Sequence, residues 1–202
     1  GDTYTFGYKT TKMAIDGKDF VTVGTYEGDF AAPKIGLFAT RVDSSSPQSV
    51  VKFDNFNVPV ETGEPKSDAF DGNTLNGFWN VNNANDKLKL ENGAVVITPE
   101  QGEWFEDNEN YYADIKNLVY QTAEGDWDIS VDVTIPGGLA YTSSQIGMHV
   151  FDDSDNFMNI MYQSASSLTS FNGHVFASRA EVDGALITDF GRVDVPNAEG
   201  WG

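Results

Sequence analysis

The chain has 202 residues, 31 Asp and Glu against 12 Lys and Arg, a net charge of −19 and no cysteine. That charge repels nucleic acid and anionic membrane surfaces, the lack of thiols excludes disulfides, thiolate metal sites and a cysteine nucleophile, and no apolar run is long enough to span a bilayer. Hydrophobic residues at 40% with 13% aromatics are the composition of a folded chain, and the length suits one all-β domain.

Period-two alternation begins at once, with Tyr4, Phe6 and Tyr8 against Thr3, Thr5 and Gly7. Asp16-Gly17 supplies a turn before Phe20, and 33–58 (PKIGLFATRVDSSSPQSVVKFDNFNV) holds two strands. PVETGEPKS at 59–67, with two prolines and a glycine, reads as a linker. DAFDGNTLNGFW at 68–79 reads as a strand, and Glu91-Asn92-Gly93 joins KLKL to AVVI as a hairpin. Residues 111–121 come nearest to a helical period, but Asn117 and Val119 weaken it, and no helix is predicted. Three further alternating runs follow: Ile129 to Ile135, Ile146 to Val150, and Met158 to Tyr162. DDSDN at 152–156 and Val182-Asp183-Gly184 separate the last of them as turns. The pattern predicts an all-β, two-sheet antiparallel sandwich.

The order of the pieces is unusual. Residues 33–58 read like the last two strands of a sandwich and 68–79 like the first. DAFDG with the tryptophan of 68–79, IKNLVYQTAEGDWDISVDVTI at 115–135 and QIGMHVFDDSDNFMNIMYQ at 145–163 together resemble the concanavalin A-like jelly roll of the laminin-G type. More narrowly, they resemble the C-terminal accessory domain of family-43 glycoside hydrolases. GDTYTFGYKTTKMAIDGKDFVTVG at 1–24, PKIGLFA and VKFDNFNV resemble that domain's last third. The resemblance covers most of the chain in circularly permuted or repeat-spanning order. It implies one sandwich over 1–202: the family's C-terminal strands in 1–58, a linker at 59–67, and the N-terminal and central strands in 68–202. GWG at 200–202 would then adjoin GDTYTF at 1–6. Lectins, adhesion modules and enzymes all use this fold, so the resemblance speaks to architecture more than to activity.

Four groups of residues bear on chemistry. Asp54, Asp68 and Asp71 converge if the strands bearing FDNF and DAFD run side by side; clustered carboxylates repel unless a cation joins them, and oxygen ligands favour calcium. The resemblance implies a structural calcium as well. Trp104, Tyr111, Tyr112, His149 and Tyr162, with His174 beside them, form an aromatic set in polar surroundings, suited to stacking on sugar rings. DDSD at 152–155 lacks the spacing of a calcium loop and reads as a turn. Asp126, Asp128 and Asp132 share a parity, yet nothing near them would raise one pKa for acid catalysis, so no catalytic residue is assigned. The sequence therefore predicts a non-catalytic extracellular or cell-surface module, calcium-stabilised, that binds carbohydrate or serves a structural or adhesive role. Its alternatives are a glycan-active enzyme and a self-assembling tandem-repeat or filament subunit.

Overall fold

The computed structural model describes residues 1–41, 49–60, 63–102, 104, 114–138, 144–164 and 174–195. The alternating N-terminal segments form a hairpin of β1 (Asp2–Tyr8) and β2 (Val21–Gly28). Between them lies α1 (Thr11–Ile15), a helix that the alternation does not predict. Thr10 caps it, its Oγ1 accepting the Met13 N–H at 3.1 Å, and Met13 is buried beneath it. Lys12 pairs with Asp16 at 2.8 Å and holds that carboxyl below its ordinary pKa. Five residues are too few to persist as a helix alone, so the cap and the buried methionine keep it in place.

Next come β3 (Lys34–Arg41), β4 (Val51–Asn57), β5 (Asn80–Asn82), β6 (Leu88–Leu90), β7 (Val95–Ile97) and β8 (Glu100–Gln101). The chain continues through β9 (Leu118–Thr122), β10 (Ser130–Thr134), β11 (Ser144–Phe151), β12 (Phe157–Ser164), β13 (His174–Val182) and β14 (Ala185–Val195). A large sheet has the order β14-β13-β12-β11-β3-β9-β5, with β8 running parallel to the end of β3. A four-stranded sheet has the order β10-β4-β7-β6, and β1 with β2 makes a third. The two smaller sheets cover one face of the large one. Tyr4, Phe6 and Val23 from the hairpin and Phe53, Val95 and Ile97 from the four-stranded sheet share one core with Ile35, Leu37, Ile146, Val150, Met158 and Ile160. This is the predicted all-β sandwich, and residues from both sides of 59–67 contribute to its core.

Two local readings are corrected. The segment ahead of Asp68 is fastened to β9 and is no free tether. The Gln121 side chain brackets Lys66, accepting its N–H at 2.9 Å and donating to its carbonyl at 2.9 Å. Glu124 N–H donates to Glu64 O at 3.0 Å, and Pro65 is buried. DAFDGNTLNGFW is not a strand; only Asp68 bridges, to Phe56. Phe70 has φ 51°, and the Asp68 carboxylate draws its N–H into a turn at 2.8 Å.

The hairpin signals hold in detail. Asn92 and Gly93 have φ 54° and 75°, and Asp183 and Gly184 have φ 51° and 71°, the pair of left-handed residues that a two-residue hairpin turn needs. The layers come into close contact at Gly191, where a Cβ would fall 1.9 Å from the Val23 carbonyl oxygen.

Candidate functional site

The large sheet has a second face, turned away from the small sheets. On β11 that face takes Gln145, Gly147, His149 and Phe151, the alternates of Ile146, Met148 and Val150. Strand register extends it sideways. His149 lies opposite Gly36 on one side and Asn159 on the other, and Asn159 lies opposite Arg179. Four residues along, Gln145 lies opposite Thr40 and Gln163. Two polar rows thus cross the sheet about 13 Å apart, from a rise near 3.3 Å per residue. Between them runs a row of Phe38, Gly147, Met161 and Ala177.

These polar side chains are buried in an apolar setting. Phe38, Trp104, Ile115, Leu118, Phe151, Phe157, Met161 and Ala177 form a second core on this face. The His149 ring lies 4.1 Å from Phe38, 5.1 Å from Trp104 and 5.3 Å from Phe157, centroid to centroid. Burial among those rings pushes the imidazole down to about 3, so it is neutral at physiological pH. Among the described residues, neither nitrogen of His149, neither polar atom of the Asn159 amide, nor Gln163 Oε1 has a hydrogen-bond partner. A buried polar group left unpaired costs about 1–3 kcal/mol, so these five atoms, in two rows of one face, are the groups there that call for a partner.

Trp104 and His149 are together, as the aromatic reading requires, but the tryptophan is not an exposed platform. It is 8% exposed and its Nε1–H donates to Asp114 Oδ1. Asp114 Oδ2 accepts from Asn83 at 2.7 Å and Asn82 at 3.2 Å, tying Asp114 to β5 and the turn beyond. Tyr162 does not belong to the set. It lies opposite Ile146 and Phe176 on the inner face, buried in the main core with its hydroxyl pKa raised by burial. His174 stacks on it at 5.3 Å. Tyr111 and Tyr112 lie outside the described residues. The alternation missed Gln145, Asn159 and Gln163, although each interrupts an apolar run at the parity of Phe151, Phe157 or Met161.

The three aspartates of the cation reading do not assemble. Asp68 Oδ1 accepts from Phe70 N–H at 2.8 Å, and Oδ2 accepts from Asn76 at 3.0 Å and Trp79 Nε1 at 2.8 Å. Those neutral donors compensate the charge without an ion. Asp54 caps the Asn55 N–H at 2.7 Å and sits opposite Asp132 on β10. Asp71 is exposed, and among the described residues no group of three or more acidic, His or Cys side chains is placed to hold a metal. Three carboxylates are thus not gathered for a calcium ion among the described residues. Asp126 and Asp128 precede β10 as exposed loop residues, and only Asp132 is on the strand, where it accepts from Asn55 Nδ2 at 2.9 Å.

Comparison with protein-family models, with curated proteins and with solved structures finds no match to this chain. Function is therefore argued from the two polar rows and their setting.

Proposed function

We propose that this protein is a non-catalytic carbohydrate-binding β-sandwich module of the cell exterior, and that it takes a neutral oligosaccharide on the far face of its large sheet. One observation carries the reading: five unpartnered buried atoms on His149, Asn159 and Gln163, in two rows across an apolar strip. Neutral imidazole and amide groups offer donors and acceptors together. A sugar hydroxyl is the matching group, since it donates and accepts as well. About 13 Å between the rows suits a span of more than one ring. The concanavalin-like resemblance and the permuted order of strands belong to the same reading, supported by a core drawn from both halves of the chain.

Asn159→Leu tests it, because the two consequences run in opposite directions. An unpartnered buried amide is a burden on the fold, so the leucine should raise stability by about 1 kcal/mol in denaturant unfolding. Retention on an array of neutral oligosaccharides should be lost. A loss of stability would show that Asn159 is satisfied in the native protein and would remove the observation behind the proposal. Retention unchanged in a more stable variant would place the sugar elsewhere.

A further inference from the structure

The layer covering the inner face of the large sheet is open between its two parts. A cleft of about 920 Å³ separates β1 from the approach to β10. Ile35, Met148, Val150 and Ile160 of the large sheet line it, with Tyr4, Phe6, Trp127 and Ile129 at its sides. The Tyr4 and Trp127 rings face each other at 5.8 Å. Asp2, Glu124, Asp126 and Asp128 also line it, and no lysine, arginine or histidine does among the described residues.

Both flanking strands end their sheets here. Among the described residues β1 pairs only with β2, and β10 only with β4. β2 packs against β13 and β14, so the free edge of β1 turns toward the cleft. On β10, Val133 lies opposite the fully buried Phe53, so its side chain belongs to the inner row, yet it is 36% exposed. Ile129 and Val131 are likewise half-covered. An inward apolar row is left partly bare where the next strand of the layer would lie.

We propose that this cleft accepts an extended strand of a partner chain, apolar on alternate residues and basic on those between. The outer backbone edges of β1 and β10 supply hydrogen bonds, the half-covered Met148, Ile129, Val131 and Val133 take one side-chain row, and the carboxylates take the other. Charge decides the occupant. A second copy brings a net −19 toward a rim that is already negative, whereas a lysine- or arginine-bearing strand is drawn to it. The site is separate from the glycan face, which lies on the opposite side of the large sheet.

The probe is a fluorescein-labelled alternating Val-Lys octapeptide, with a Val-Glu octapeptide and a proline-interrupted Val-Lys peptide as controls. The basic peptide should bind at least about tenfold more tightly than either control. Amide hydrogen exchange should slow along both β1 and β10 when it binds. The charge reversals D126K and D128K together, at exposed loop positions, should weaken binding about tenfold, chiefly through association rate. The reversals D71K and E91K, away from the cleft, should leave it unchanged. Equal binding of the controls, equal loss with D71K and E91K, or binding without slowed exchange at both edges would overturn the proposal. Self-association that protects the same edges without peptide would also overturn it, in favour of a second copy.

Discussion

Asp68 and His149 show how far a side chain's chemistry follows from its neighbours rather than its type. Asp68 reads as a cation ligand and is instead a hydrogen-bond hub for Phe70, Asn76 and Trp79. Asp68→Asn keeps the shape but turns an amide nitrogen toward donors, so unfolding free energy should fall by about 2 kcal/mol. The loss should be the same with and without EDTA; a fall in wild-type melting temperature on chelation would restore the ion. His149 lies among the Phe38, Trp104 and Phe157 rings and protonates at about 3 in the folded chain, against about 6.5 unfolded. Between those values the unfolded chain binds the extra proton. Stability is therefore full above about 6.5 and is lost as pH falls toward 3. At pH 5 the loss is about 2 kcal/mol relative to pH 8. His149→Phe should abolish that difference in denaturant melts at the two pH values, and an unchanged pH dependence would show that His149 is charged in the fold. The parity of His149 could be read from the sequence. Its partners could not, because they depend on register with Asn159 and on Trp104, whose polar surroundings hide a ring paired to Asp114 ten residues later.

Turns were the most legible elements, because Asn92-Gly93 and Asp183-Gly184 need only local backbone freedom. Irregular strands were the least. Asn55 in FDNF has φ 50°, a local break that buries both Phe53 and Phe56 and sets Asp54 across from Asp132. Strict alternation would have put those phenylalanines on opposite faces. Helix α1 escaped notice because five residues cannot show a period. The meeting of β14 with β2 was also invisible, since it depends on two strands far apart in sequence. Gly191→Ala would drive a methyl into the Val23 carbonyl, with only 1.9 Å available. Unfolding free energy should fall by about 1–3 kcal/mol, the range for overpacking. An unchanged denaturant midpoint would mean that the hairpin β1–β2 does not press on β14 in solution.

For the molecule as a whole, the period-two alternation foretold the all-β sandwich, but it did not foretell that the covering layer is divided. A net charge of −19 on a closed fold repels itself. Raising sodium chloride from about 10 mM to about 150 mM shortens the Debye length from roughly 30 Å to 8 Å. The melting temperature should rise over that interval in calorimetry; a fall would mean that the few ion pairs outweigh the repulsion.

The place of β3 has a consequence for synthesis. Its sequence, KIGLFATR, is nearly all buried, and it sits between β9 and β11, with Leu37 opposite Val119 and Met148. Translation at about 5–20 residues per second leaves this apolar strand without its β11 partner for roughly 5–20 seconds. Both edges of the strand are bare until β9 emerges and one edge stays bare until β11 does, so a holdase chaperone should crosslink to residues 34–41 on ribosomes stalled before residue 144 and release them on ribosomes stalled well beyond 151.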